Sequence, residues 1–145
     1  MLGWILVLGA AGYAGWRILA AHPAPAERFV RLARHEAAFV SAVSESLFPA
    51  GGPVSPSGLD AAIPAYVDRY LGDVPAKIRF LIRCLFLLFE HATFVLPAPG
   101  AGGRRRFSSL SAEQRTAVLE RWRRASLFPM RLVFTSLRAI FPMGY

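Results

Sequence analysis

Through most of this 145-residue chain apolar positions recur at helical spacing, and nowhere do they alternate as in a half-buried strand. The clearest pattern runs from 106 to 141. Ser111 followed by Gln114 fits a capping box, with Glu113 in the first turn where the helix dipole favours an acid, so a helix is predicted to start near Ala112. Val118, Leu119, Trp122 and Ala125 share one face of it, and Arg115 falls in the middle of that face. Arg121, Arg123 and Arg124 lie off the stripe, toward solvent or an acidic surface. Ser126 and Pro129 break and restart the helix, because proline fits a first turn and disrupts an interior. Met130, Val133, Phe134, Leu137, Ile140 and Phe141 then form a second stripe, flanked by Arg131 and Arg138. A basic ridge beside an apolar stripe suits a lipid headgroup layer or an acidic partner surface.

Upstream the same reading gives a helix over about 26–47, with Phe29, Leu32, Ala33, Val40, Val43 and Leu47 on one face and Glu36 within it. Glu36 either pairs with Arg115 in the core or reaches solvent past Ala33 and Ala37. Phe48-Pro49 stops this helix, and 50–56 is a Gly/Pro loop. In the unit over 57–72, Pro64 divides a short turn from a helix packed through Tyr66, Val67, Tyr70 and Leu71 and ended by Gly72. Asp73 is placed to cap the next helix, with Pro75 in its first turn. From 78 to 96 the chain is apolar almost all round, with Arg79, Arg83 and Glu90 on one narrow face. Charges at a membrane centre cost about 2.5 to 3.5 kcal/mol each, so this segment is predicted to be the central buried helix of a bundle rather than a span. Residues 97–103 form a flexible loop.

The N-terminal run from Leu2 to Ala20 carries one charge, Arg17, near its end where it can snorkel, and its roughly 19 residues match a bilayer's hydrocarbon thickness. It is predicted to be an uncleaved anchor, against the alternatives of a processed signal, for which Ala24-Pro25-Ala26 imitates a cleavage site, or a helix docked on a partner. Arg17, Arg28, Arg31 and Arg34 follow the segment, so the positive-inside rule places the body on the cytoplasmic side of the inner membrane. The expected organisation is a single-pass anchor over 1–21 and a helical domain over 22–145. The expected fold is all-α, a bundle of about five helices including one N-terminal transmembrane helix.

Composition points the same way. Hydrophobic residues make up 54% of the chain, high for a soluble monomer, and the net charge of +8 comes almost wholly from arginine, with one lysine, Lys77. Arginine favours planar contacts with carboxylates or phosphates, although genomic base composition produces the same bias. The single cysteine, Cys84, excludes an internal disulfide and reads as a small buried hydrophobe.

Searches for chemistry yield little. His22, His35 and His91 lack metal-ligand spacing, and the neighbours Glu90 and His91 splay around a helix. Gly100-Ala-Gly-Gly103 lacks the strand before it and the Lys-Ser/Thr after it that a phosphate loop needs. Arg104-Arg-Arg-Phe107 is internal and precedes no apolar run, unlike an export signal. No catalytic, cofactor-binding or metal-binding residue is assigned. Arg131, Arg138, Phe134, Phe141 and Trp122 are the residues expected to bind a partner, and Glu36 with Arg115 the expected structural ion pair.

Glu36, Leu47-Phe48-Pro49-Ala50, Gly58 and Tyr66-Val67-Asp68-Arg69-Tyr70-Leu71 together resemble the small-subunit family named after gluconate 2-dehydrogenase subunit 3. Phe107, Leu110, Arg115, Leu119, Trp122, Ser126, Arg131, Phe134 and Leu137 resemble the helical region that precedes the flavin domain of long-chain fatty alcohol oxidases. The resemblance implies a non-catalytic accessory subunit that anchors and stabilises a separate FAD-dependent oxidoreductase of the glucose-methanol-choline type, shaping entry of a lipophilic alcohol. Many exported relatives start with a twin-arginine signal; this chain starts with a plain hydrophobic segment. Two other classes stay open: a membrane-surface module that holds anionic lipid through Arg131, Arg138 and the apolar C-terminus, and a small membrane enzyme using Glu36, Glu90 and His91. Nucleic acid is not expected, since the arginines are spread over several helix faces without a binding motif.

Overall fold

The computed structural model describes the chain apart from Met1, Ala20, Ala21 and Ala26 and the side chains at 2–7 and 17–19. Its α-helices are α1 (Leu2–Leu19), α2 (Arg34–Leu47), α3 (Ile63–Asp73), α4 (Ala76–Ala92), α5 (Ala112–Arg123) and α6 (Phe128–Ile140). Short 3-10 turns lie at Phe107–Ser109 and Pro142–Gly144, and no strand is present among the described residues. The all-α expectation holds, with six helices rather than about five.

At the N-terminus α1 is helical as expected, and its described side chains Leu8, Tyr13 and Trp16 are exposed. Among the described residues no helix is long and apolar enough to cross a membrane. The snorkelling role expected of Arg17 and the cleavage-like site ending at Ala26 lie outside the described residues.

The hub of the bundle is α2, not α4: α2 packs against α3, α4, α5 and the 107–109 turn. Phe39 sits at its centre, with ring centroids 5.3 Å from Phe86, 6.0 Å from Phe89 and 5.9 Å from Phe107. Val40 and Val43 of α2, Ile63, Val67 and Leu71 of α3, and Leu137 and Phe141 of the C-terminal segment complete a core that is almost fully shielded from water. α5 begins at Ala112 as predicted, its box closed by Ser111 and Gln114, each accepting the other's backbone N–H at 3.2 Å. Gln114 also donates to the carbonyls of Pro99 and Ala101, so the 97–103 loop is tied to α5. Pro64 and Pro129 both stand in first turns, as expected.

The start of α2 departs from expectation. Helical periodicity predicts a helix from about 26, yet α2 begins at Arg34. The reason is Asp68 on α3. Its buried carboxylate accepts the backbone N–H groups of Val30 at 3.1 Å and of Arg31 and Leu32 at 2.7 Å each, which holds 30–32 out of a helix. Glu36 accepts the Ala33 N–H at 2.8 Å and caps α2 from within its first turn. From α4, Arg83 donates to the Arg31 carbonyl at 2.6 Å. Asp73 does not cap α4; it ends α3, and Pro75 occupies the N-cap.

Gly58 shows why one loop position admits no side chain. A Cβ there would lie 2.4 Å from the Ser44 carbonyl oxygen of α2, inside any van der Waals contact. The approach is fixed by the Gly58 N–H, which donates to the Phe48 carbonyl at 2.9 Å.

Burial opposes ionisation of Asp68, but the N–H bonds from Leu32, Arg31 and Val30 and the Arg31 charge together outweigh it and hold its pKa below the ordinary 3.8. The stability this provides is complete above pH 3.8 and is lost as pH falls through the lower folded-state value. Asp68→Asn is expected to destabilise the chain by about 2 to 4 kcal/mol near neutrality, since the bonds lose their charge assistance and an amide NH2 replaces one of the two accepting oxygens. Denaturant unfolding followed by circular dichroism should also show a smaller stability loss on acidification below pH 3.8 than in the unmodified chain.

Candidate functional site

One interior polar cluster and two surfaces are the candidates for a functional site.

In the interior, Glu90 near the end of α4 is buried and accepts from both the backbone N–H and the hydroxyl of Ser108, the N–H at 2.9 Å. His22 Nε2 lies 3.3 Å from the same carboxylate, and Arg106 Nη1 reaches His22 Nδ1 at 3.1 Å. Arg106 Nη1 also lies 3.3 Å from His22 Nε2, so the guanidinium sits against the edge of the ring that faces the carboxylate. This cluster ties the segment leaving α1 to α4 and to the 107–109 turn. His35 packs near it, its ring centroid 6.0 Å from that of His22. His91 points away and meets the Leu87 carbonyl at 2.9 Å, so Glu90 and His91 do not act as a pair. Among the described residues no group of three or more His, Cys, Asp or Glu side chains is placed to hold a metal ion.

The first surface is the C-terminal groove. Clefts of about 300 and 450 Å³ open beside α5 and α6 and share Arg123, Phe134 and Arg138 in their walls. The residues expected to bind a partner separate here. Trp122, Phe134 and Phe141 are buried, with Trp122 packed on Phe89 at 4.6 Å between centroids, so they belong to the core. Phe141 packs on Phe86, which like Phe89 belongs to α4, and α6 lies against α5. Arg131 is exposed but closes the end of α5, donating to the carbonyls of Ala125 and Ser126 at 2.8 and 2.9 Å. Arg138 alone of the five remains an outward side chain at the cleft without a structural contact of this kind among the described residues. Arg123 and Arg124 both pair with Glu120 on their own helix, and the Arg123 hydrogen bond is the main reason the Glu120 carboxyl titrates below its ordinary value.

Glu36 and Arg115 do not meet. Glu36 lies 3.5 Å from Arg83, and Arg115 reaches Glu45 at 3.0 Å. Both acids are on α2, but nine residues apart they are about 13 Å distant along the axis, and the start of α5 crosses the far end.

The second surface is the outer face of α4. Phe80, Leu81, Leu87 and Leu88 are exposed at 65%, 53%, 40% and 51%, and Cys84 between them is exposed rather than buried. Ile82, Phe86 and Phe89 face the core. The charges lie toward the body: Arg79 donates to the carbonyls of Gly72 and Val74, Arg83 to that of Arg31, and Glu90 is buried. The helix expected at the bundle centre is therefore a wall, with its outer stripe apolar from Phe80 to Leu88, about 12 Å along the axis, and Lys77 the charged residue at its N-terminal end. The signal was present in the spacing of 77, 80, 81, 84, 87 and 88, but an inner face holding three charges disguised which side was outside.

Comparisons with family models, with curated proteins and with solved structures find no match.

Burial lowers the pKa of His35 below the ordinary 6.5, with His22 and His91 adding to this and Glu36 and Glu90 opposing it. A depressed histidine contributes stability that is complete above pH 6.5 and lost as pH falls through its folded-state value. Thermal unfolding should thus move to lower temperature on acidification below pH 6.5, and His35→Gln should reduce that movement without changing the neutral-pH circular dichroism spectrum.

Proposed function

We propose that this chain is a non-catalytic helical subunit that docks on a larger protein through the outer face of α4 and is held at the membrane by α1. The exposed stripe of Phe80, Leu81, Leu87 and Leu88 carries the reading. Isolated exposed leucines are ordinary, but a continuous apolar helix face flanked by polar residues marks a binding surface. Protein interfaces concentrate their energy in such aromatic and aliphatic anchors. The docking residues are therefore assigned to α4 rather than to the α6 stripe.

On this reading the partner is an FAD-dependent oxidoreductase of the glucose-methanol-choline type, with the flavin bound by that protein and a lipophilic alcohol as substrate. Support for the partner's identity comes from the resemblance of the α2 and α3 segments to the small-subunit family and of the α5–α6 segment to the helical region preceding the flavin domain of long-chain fatty alcohol oxidases. Support for the anchor comes from the composition of 2–20 and from the exposure of Leu8, Tyr13 and Trp16 along α1. The positive-inside rule then puts the body on the cytoplasmic side.

Tagged full-length chain, purified in mild detergent from its native host, is expected to bring down a yellow protein with an FAD spectrum. Phe80→Asp together with Leu88→Asp should weaken that association by about 2 kcal/mol or more, some thirtyfold, with the chain still folded. A colourless, monodisperse monomer from the unmodified chain would remove the subunit reading.

A further inference from the structure

Directly after α4 the chain presents Phe94, Val95 and Leu96 to solvent, Val95 at 81% exposure. Beside Phe94 lies a cleft of about 190 Å³ walled by Arg104, Arg105, Arg106 and Ser109. Arg104 and Arg105 are exposed and form no ion pair among the described residues. The backbone beneath is fixed: the Thr93 hydroxyl donates to the Arg105 carbonyl, and the Ala98 N–H donates to the Gly103 carbonyl at 3.0 Å. Gly103 is pressed so closely on Ala98 that a Cβ would fall 2.0 Å from the Ala98 carbonyl oxygen. The acid packed here, Glu90, is buried beneath Ser108 and His22 and does not neutralise the rim. Arg106 contacts His22, which stands three residues beyond Leu19, so the cleft adjoins the point where α1 enters the body.

From this we infer that the Arg104, Arg105, Arg106 and Ser109 cleft binds the phosphate of an anionic phospholipid headgroup while Phe94, Val95 and Leu96 enter the acyl layer below it. Each part fits that ligand. Guanidinium groups and a hydroxyl recognise phosphate oxygens, the apolar tip lies beside them as lipid tails lie beside headgroups, and the site is located where an inserted α1 holds the bilayer. The inference rests on α1 as an anchor. It adds a second contact that sets how the body stands on the membrane.

The test uses the full chain in nanodiscs. Val95→Cys, in a chain with Cys84→Ser, is labelled with an environment-sensitive fluorophore and compared in discs of phosphatidylcholine alone and discs containing phosphatidylglycerol. The expected result is a label that is quenched by lipid-borne quenchers in the anionic discs and much less in the neutral ones. Arg104→Glu with Arg105→Glu should abolish the difference, each arginine accounting for roughly a fivefold change in occupancy, while Arg104→Lys with Arg105→Lys retains most of it. Salt should weaken the contact in the anionic discs. A label that stays in water in both kinds of disc, or is equally buried in both, overturns the inference with the anchor intact. Failure of the unmodified chain to incorporate into discs at all overturns the anchor, and the inference with it.

Discussion

The bundle depends on one carboxylate. Asp68 takes the N–H groups of three consecutive residues and so decides where the chain stops being extended and α2 can begin. Burying a carboxylate is costly, and it is tolerated here because donors that would themselves lack partners surround it. The cradle joins α3 to the entrance of α2, and the Arg83 bond to the Arg31 carbonyl brings α4 to the same place. Three helices are thus positioned by contacts within one short stretch of backbone. Phe39, one turn into α2, then meets the aromatic residues of α4 and of the 107–109 turn in fixed register.

Glu36 and Glu90 repeat the device. Each is buried, and each accepts a backbone N–H where a helix or turn begins. That use of the oxygens bears on function. A carboxylate engaged by fixed donors is held in one orientation, which suits a fastener. The inward acids of this chain are thereby accounted for by folding, and the features that remain to be explained lie on the outside.

Local signals were the legible ones. The Ser111–Gln114 box, the prolines at Pro64 and Pro129 and the stop after Leu47 involve residues within a few positions of one another, and each was readable from spacing alone. What eluded the sequence was tertiary. The periodicity of 26–33 is compatible with a helix until Asp68, far along the chain, claims its N–H groups. Glu36 and Arg115 each needed a partner, but one-dimensional reasoning could not choose among Arg83, Glu45 and each other. Trp122 on one stripe and Phe134 and Phe141 on the next looked free for a partner, yet a stripe states only that something covers it, and here Phe89 and Phe86 of α4 cover Trp122 and Phe141. Gly58 and Asp68 are required by a backbone contact and an N–H cradle, so those residue types speak first to fold.

The outer face of α4 extends this logic. An all-round apolar helix is ordinarily a buried one, and the expectation of a central helix came from that rule. The rule holds if the chain's complete environment includes more than the chain. Turned outward, Phe80, Leu81, Leu87 and Leu88 are unfavourably solvated in the lone subunit and become favourable on association. The charges that would keep such a face soluble are instead engaged inside, on the carbonyls of Gly72, Val74 and Arg31. Because Phe94, Val95 and Leu96 come directly after α4, the proposed protein-docking face and the proposed lipid-facing tip are continuous. A partner lying along α4 would then have one end beside the Arg104, Arg105 and Ser109 cleft, so that the two proposed contacts would be made by one surface.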